Sequence, residues 1–161
     1  MSTINFSWQT IHDGIEALAL MVKPLRPHLI VGVARGGLVP ATLLSHRLNV
    51  RLETIKAQAY EGSRRTIERP IRISGWKPDF NKAGVLIVDD IMDTGDTYEA
   101  INNNIQYAGI RDPILMTFVS LVKKKECRFP THMFFAQVPQ DVWVNFPWEA
   151  HDYADQKTIA A

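Results

Sequence analysis

The sequence predicts an α/β fold, with a mostly parallel sheet covered by helices on both faces. Three observations carry this. Short apolar runs rich in β-branched residues recur at 28–34, 84–89 and 113–122. Segments with helical spacing alternate with them, the pattern of strand–helix–strand units. Two of the runs end in glycine-bearing turns, "RGG" at 35–37 and "DTGDT" at 93–97. In parallel sheets ligands bind where strand carboxyl ends open into such loops.

Taken in order, Ser7 is placed as an N-cap. Ile11, Ile15, Leu18, Ala19 and Val22 then follow helical spacing until Pro24 and Pro27 stop the segment. "HLIVGVA" (28–34) reads as a buried strand, and "ATLLSHRL" beyond the "RGGLVP" turn as a helix. "RLETIKAQAY" (51–60) reads as the next strand. Residues 61–82 are polar, carry Gly, Pro and four arginines, and hold no period. A stretch of that length inside a compact domain predicts a functional loop or lid. A strand at 84–89 leads through a turn into a helix from about 96 to 108, closed near Gly109. "PILMTFVSLV" (113–122) and "HMFFAQV" (132–138) read as strands before the aromatic tail "PQDVWVNFPWE" (139–149).

The 161 residues suit a single domain, 1–161, with a substantial core. A net charge of +1 argues against broad nucleic-acid binding. The single cysteine, Cys127, forbids an internal disulfide and fits a reducing compartment. No apolar stretch reaches the roughly 20 residues needed to span a bilayer. The first residues lack the layout of a signal peptide, so a cytoplasmic protein with no membrane partner is expected.

The turn after 84–89 concentrates Asp89, Asp90, Asp93 and Asp96, with Thr94, Gly95 and Thr97 among them. A helix starting near Asp96 or Thr97 offers free backbone N–H groups and a dipole that favours an anion. The threonines add hydroxyl donors, and Gly95 permits close approach or positive φ. Asp89 and Asp90 are placed to accept from sugar hydroxyls, directly or through a divalent metal. Asp93 in the loop suits a proton acceptor. Together these fit a ribose 5-phosphate. The sequence has no P-loop pattern, and the acids do not fall at calcium-loop spacing. A bare N-cap turn would need one acid rather than four.

"VLIVDDIMDTGDT" (85–97) closely resembles the phosphoribosyl-pyrophosphate (PRPP) signature of type I phosphoribosyltransferases, most of all the small bacterial xanthine–guanine enzymes. That resemblance implies the type I fold, with a small C-terminal hood (132–152) and a flexible lid (about 61–75). It implies PRPP binding by Asp89, Asp90, Asp93, Thr94, Gly95, Asp96 and Thr97, with Asp93 catalytic, Mg²⁺ as cofactor and Asp90 as its protein contact. "VARGGLVPATLL" (33–44) is similar to the family's pyrophosphate loop, so Arg35, Gly36 and Gly37 are expected to hold pyrophosphate. The family often has a cis peptide before the basic residue, which makes Ala34–Arg35 the candidate. Arg64 or Arg65 of the lid would neutralise pyrophosphate. Ala59–Tyr60 stands where relatives carry Ser–Tyr, and the hydroxyl before Tyr60 is absent.

"VSLVKKK" (119–125) resembles the strand end whose lysine meets the purine O6. Lys123 is assigned that place as the first lysine after the apolar run, with Lys124 and Lys125 expected in solvent. In the hood Trp143 would stack on the base, Val144 would offer backbone groups, and Glu149 stands where relatives have aspartate; Trp148 is expected to be structural. The implied activity is purine salvage. The phosphoribosyl group of PRPP passes to N9 of xanthine, guanine or hypoxanthine, in a homodimer or homotetramer. Transfer to another base, and a PRPP-sensing regulator of the same fold, are the alternatives.

Overall fold

The computed structural model describes residues 2–59, 71–75, 84–107, 116–129 and 133–149. Its elements are β1 (Thr3–Asn5), α1 (Trp8–Val22), β2 (Leu29–Ala34), α2 (Leu38–Leu48), β3 (Arg51–Ala59) and β4 (Ile71–Ser74). β5 (Val85–Met92), α3 (Asp96–Tyr107), β6 (Met116–Lys124), β7 (Met133–Val138) and β8 (Trp143–Asn145) follow. Six strands form the main sheet in the order β4-β3-β2-β5-β6-β7. All its pairings are parallel except β3 with β4.

α1 starts where Ser7 Oγ accepts from the Thr10 N–H, a side-chain cap. Its buried face, Ile11, Ile15, Leu18 and Val22, joins Ala41 and Leu44 of α2. These pack on Ile30, Leu86, Val88, Val119 and Leu121 of the sheet. The opposite face buries Leu29, Val31, Val85 and Ile87 beneath Tyr98 and Ile101 of α3. Each fully buried Leu or Ile contributes about 1.5–3 kcal/mol, and helices cover both faces of the sheet.

Two expectations are corrected. β5 does not stop at Asp89 but runs to Met92, because its pairing with β6 continues through Met92↔Lys123. Within the expected lid, residues 71–74 form β4, zipped antiparallel onto β3 from Lys56↔Ser74 to Ala59↔Ile71. Residues 61–70, with Arg64 and Arg65, and Tyr60 lie outside the described residues. Of the residues expected to form most of the hood, 133–138 are β7, the edge strand of the main sheet. The described part of the hood is 139–149, built on β8, which pairs in parallel with β1. β1 itself is an element the polar start of the sequence did not announce. Aromatic contacts reinforce that pairing: Phe6 meets Phe146 edge-on at 5.7 Å, and Trp148 stacks on Phe146 at 4.7 Å.

Candidate active site

β2 and β5 are neighbours at the centre of the sheet, so the turns that follow them meet. After β2 the Ala34–Arg35 peptide is cis, as the sequence suggested. α2 then begins, with the Gly37 N–H on Val33 O at 3.0 Å and the Leu38 N–H on Arg35 O at 3.1 Å. The backbone of this loop presses on β5. A Cβ on Gly36 would collide with the Asp90 carboxyl group, and one on Gly37 would lie 2.5 Å from Val88 O and 2.8 Å from Asp89 Cα. The expected pyrophosphate loop and the expected ribose acids therefore share one wall.

The side-chain alternation of β5 inverts across these acids. Leu86 and Val88 pack with one core and Val85 and Ile87 with the other, yet Ile91 joins the first core and Met92 the second. The inversion coincides with local hydrogen bonds, from the Asp90 N–H to Asp89 Oδ1 at 3.0 Å and from the Ile91 N–H to Asp90 Oδ1 at 2.8 Å. Both acids are held deep in the wall. Burial drives the Asp89 carboxyl well above the ordinary carboxylate range, and the neighbouring charge of Asp90 adds to it. Burial also raises Asp90, with the charge of Glu149 contributing, although hydrogen bonds to Asp89 and Ile91 pull the other way.

Beyond Met92 the chain opens into a pocket of about 280 Å³ lined by residues 89–98. Asp93 and Thr94 are exposed there. Gly95 takes φ +99°, and its O accepts the first helical bond of α3, from the Glu99 N–H at 2.9 Å. That φ favours glycine, and a Cβ there would also lie 3.0 Å from Phe129 Cβ. Asp96, Thr97 and Tyr98 form the first turn of α3, whose N–H groups have no partner within the helix. Thr94 Oγ1 accepts weakly from the Asp96 N–H at 3.3 Å. Tyr98 seals the floor, its hydroxyl donating to Val119 O at 2.7 Å.

The hood approaches this turn from the other side. Gln140 Nε2 donates to Asp93 Oδ1 at 2.5 Å. Lys124 is 5% exposed, and its Nζ donates to Gln140 O at 3.3 Å and to Val142 O. This corrects the placing of Lys124 in solvent; Lys125 is exposed as expected. Consecutive residues of a strand point to opposite faces, and here Lys124 turns to the hood while Lys123 lies 5.5 Å from the Phe134 ring centroid. Gln140 was missed altogether, because nothing local in "VPQDVW" marks it apart from an ordinary turn glutamine.

Trp143 is 56% exposed. The Trp143 N–H donates to Ser2 O at 2.8 Å, and the Phe6 N–H donates to Asn145 O at 2.9 Å. Residues facing a parallel neighbour alternate along a strand, so the N–H and C=O of Val144 point away from β1. Glu149 Oε2 accepts from the Phe146 N–H at 3.1 Å and so braces the hood backbone.

Two glycine-bearing turns that meet beside a helix start at the strand ends form a frame suited to binding an anion, and comparison with known proteins defines the class. Residues 7–155 match the model of the phosphoribosyl transferase domain. The chain belongs to this family and is a phosphoribosyltransferase. It is 33% identical to a xanthine-guanine phosphoribosyltransferase of Chromohalobacter salexigens over 144 residues, covering 89% of this chain and 82% of that one. It is 32% identical to a xanthine-guanine phosphoribosyltransferase of Desulfotalea psychrophila, covering 91% and 86%. The crystal structure of a purine phosphoribosyltransferase from Pyrococcus horikoshii superposes with a TM-score of 0.72 at 32% identity, covering 92% of this chain and 94% of that one.

Proposed function

We propose that this single domain salvages 6-oxopurines, transferring the phosphoribosyl group of PRPP to N9 of xanthine, guanine or hypoxanthine. The observation that carries the reading is the Asp93–Thr97 turn, which opens a pocket lined by residues 89–98 at the start of α3; the Gly36–Gly37 loop lies against its Asp90, and Gln140 of the hood bonds its Asp93. The names of the relatives support the choice of base.

The 5′-phosphate sits on the N–H groups and hydroxyls of residues 93–97, and the ribose hydroxyls meet Asp89 and Asp90. The backbone of Arg35, Gly36 and Gly37 holds pyrophosphate. Breaking the C1′–O bond leaves positive charge on the ribosyl ring, and buried carboxylates stabilise it more strongly than solvated ones. N9 of the base attacks C1′, and the proton on N7 passes to Asp93. Lys124 takes the O6 role in place of Lys123. Its ammonium has three donors, two of them on the hood carbonyls, and on this reading the third serves O6. Trp143 covers the base, the Val144 backbone meets its exocyclic edge, and Glu149 steadies the hood.

The donor set fits Mg²⁺: the adjacent carboxyl groups of Asp89 and Asp90 offer only oxygen atoms, to be completed by substrate phosphates, as that ion prefers. Asp90 would hold it, and when bound it supplies Lewis-acid assistance to the departing pyrophosphate. A cytoplasmic homodimer or homotetramer accompanies this reading, and among the described residues no helix is long and apolar enough to cross a membrane.

The test is pyrophosphate release from PRPP across a panel of bases. Turnover with guanine, xanthine or hypoxanthine and none with adenine is expected. Activity on adenine alone overturns the reading.

A further inference from the structure

We infer that Gln140 is a positioning residue for the reaction, orienting Asp93 and tying the proton acceptor to the purine-recognising lysine. This deepens the reading above and rests on it. Asp93 stands exposed on a turn, where nothing in its own loop fixes which carboxylate oxygen faces the base. Gln140, 47 residues away, supplies that restraint through Nε2–H···Oδ1 at 2.5 Å.

A carboxylate only accepts, so the amide must present its N–H₂ to Asp93. Its Oε1 is then buried with no partner among the described residues. Buried acceptors are ordinarily satisfied, and one left bare is an uncompensated cost. Gln140 bears that cost to keep its donor on Asp93. The glutamine is itself fixed in place. Lys124 Nζ grips its carbonyl and that of Val142, while the Lys125 N–H holds Val138 O at 2.9 Å and the Val142 N–H holds Pro139 O at 3.3 Å. The turn 138–142 is thereby clamped to the end of β6. One short path joins the lysine that meets O6 to the Oδ1 of Asp93, leaving Oδ2 to receive the N7 proton.

A double-mutant cycle on kcat tests this, with Gln140→Met, Asp93→Asn and the pair. Gln140→Met keeps the bulk and loses the donor. It should lower kcat roughly 10- to 100-fold, the scale of a misplaced catalytic group, with KM for PRPP changed less than about 2-fold. In the Asp93→Asn background the same change should cost less than about 2-fold, because its target is gone. Gln140→Glu, of the same shape but without the donor, should lower kcat at least as far. Effects that multiply across the cycle, or wild-type kcat in Gln140→Glu, overturn the assignment. So does a loss that merely follows the unfolded fraction seen by circular dichroism in both variants. Wild-type protein inactive on every 6-oxopurine defeats the underlying reading as well, whereas active wild type with a multiplicative cycle defeats the role of Gln140 alone.

Discussion

The carboxyl group of Asp90 lies against the backbone of Gly36, so closely that no β-carbon fits between them. Gly37 is confined as well, but by different atoms: Val88 O, Val33 O and Asp89 Cα, all backbone of the two central strands. The difference predicts two phenotypes. In Gly36→Ala the Asp90 side chain can swing aside, so the variant should fold and melt near wild type while kcat/KM for PRPP falls roughly 100-fold through the displaced acid. In Gly37→Ala only strand backbone can yield, and overpacking of this kind costs about 1–3 kcal/mol. That variant should show a lowered Tm in thermal denaturation. Equal melting of the two would contradict the distinction.

Asp89 makes stability depend on pH in an unusual direction. Burial, then the charge of Asp90, holds its carboxyl well above the ordinary value of 3.8. The folded state therefore binds this proton more tightly than the unfolded chain. Above pH 3.8 the unfolded state carries fewer protons, and stability falls as pH rises until the folded carboxyl has also ionised. Asp89→Asn removes that penalty. Its ligand-free Tm at about pH 7 should exceed wild type by a few degrees, the response of a domain this size to about 1 kcal/mol, with no gain at about pH 4. Turnover should drop in the same protein, since stability and a strained charged site oppose one another.

Most of the scaffold was legible in the residues, because short-range rules govern it. Strand periods, the Ser7 cap and the sharp turn at Gly95 are local properties. What escaped was set by register and by distant partners. Whether Lys123 or Lys124 faces the hood depends on how β6 pairs with β5 and β7, and a shift of one residue exchanges the faces. β1 is three residues long, too short for its alternation to announce a strand, and it pairs with β8. β4 alternates over only four residues inside a polar stretch, and as an edge strand it pairs with β3 alone. Gln140 became visible only when the fold brought it to Asp93.

The two lysines give a direct comparison. Lys124 is buried on hood carbonyls, whereas Lys123 lies half-buried over Phe134. Lys124→Met should raise KM for guanine and lower kcat/KM roughly 100-fold, because both the proposed O6 donor and the clamp on residues 140 and 142 disappear. Lys123→Met should stay within about 3-fold of wild type, losing only an exposed-edge cation–π contact. A larger effect at Lys123 than at Lys124, measured by steady-state kinetics with guanine, would restore the assignment made from sequence order.

Trp143 and Trp148 should also separate cleanly. Trp148 is stacked on Phe146 at 4.7 Å with an interplanar angle of 6°, and lies 6.0 Å from the Trp8 ring. It holds the hood to the N-terminal segment, and its removal leaves a gap among aromatic rings. Trp148→Ala should cost about 3–5 kcal/mol of stability if the site cannot collapse. Trp143 is 56% exposed and is anchored by its backbone, through the N–H on Ser2 O. Its ring contributes little to the fold, so Trp143→Ala should melt like wild type. The ring's proposed task is to cover the purine, and base–aromatic stacking is worth about 1–3 kcal/mol. Affinity for GMP, measured by calorimetry, should therefore weaken roughly 5- to 150-fold while the melting curve stays still. If GMP binds Trp143→Ala as tightly as wild type, the exposed indole is not the lid of the base pocket.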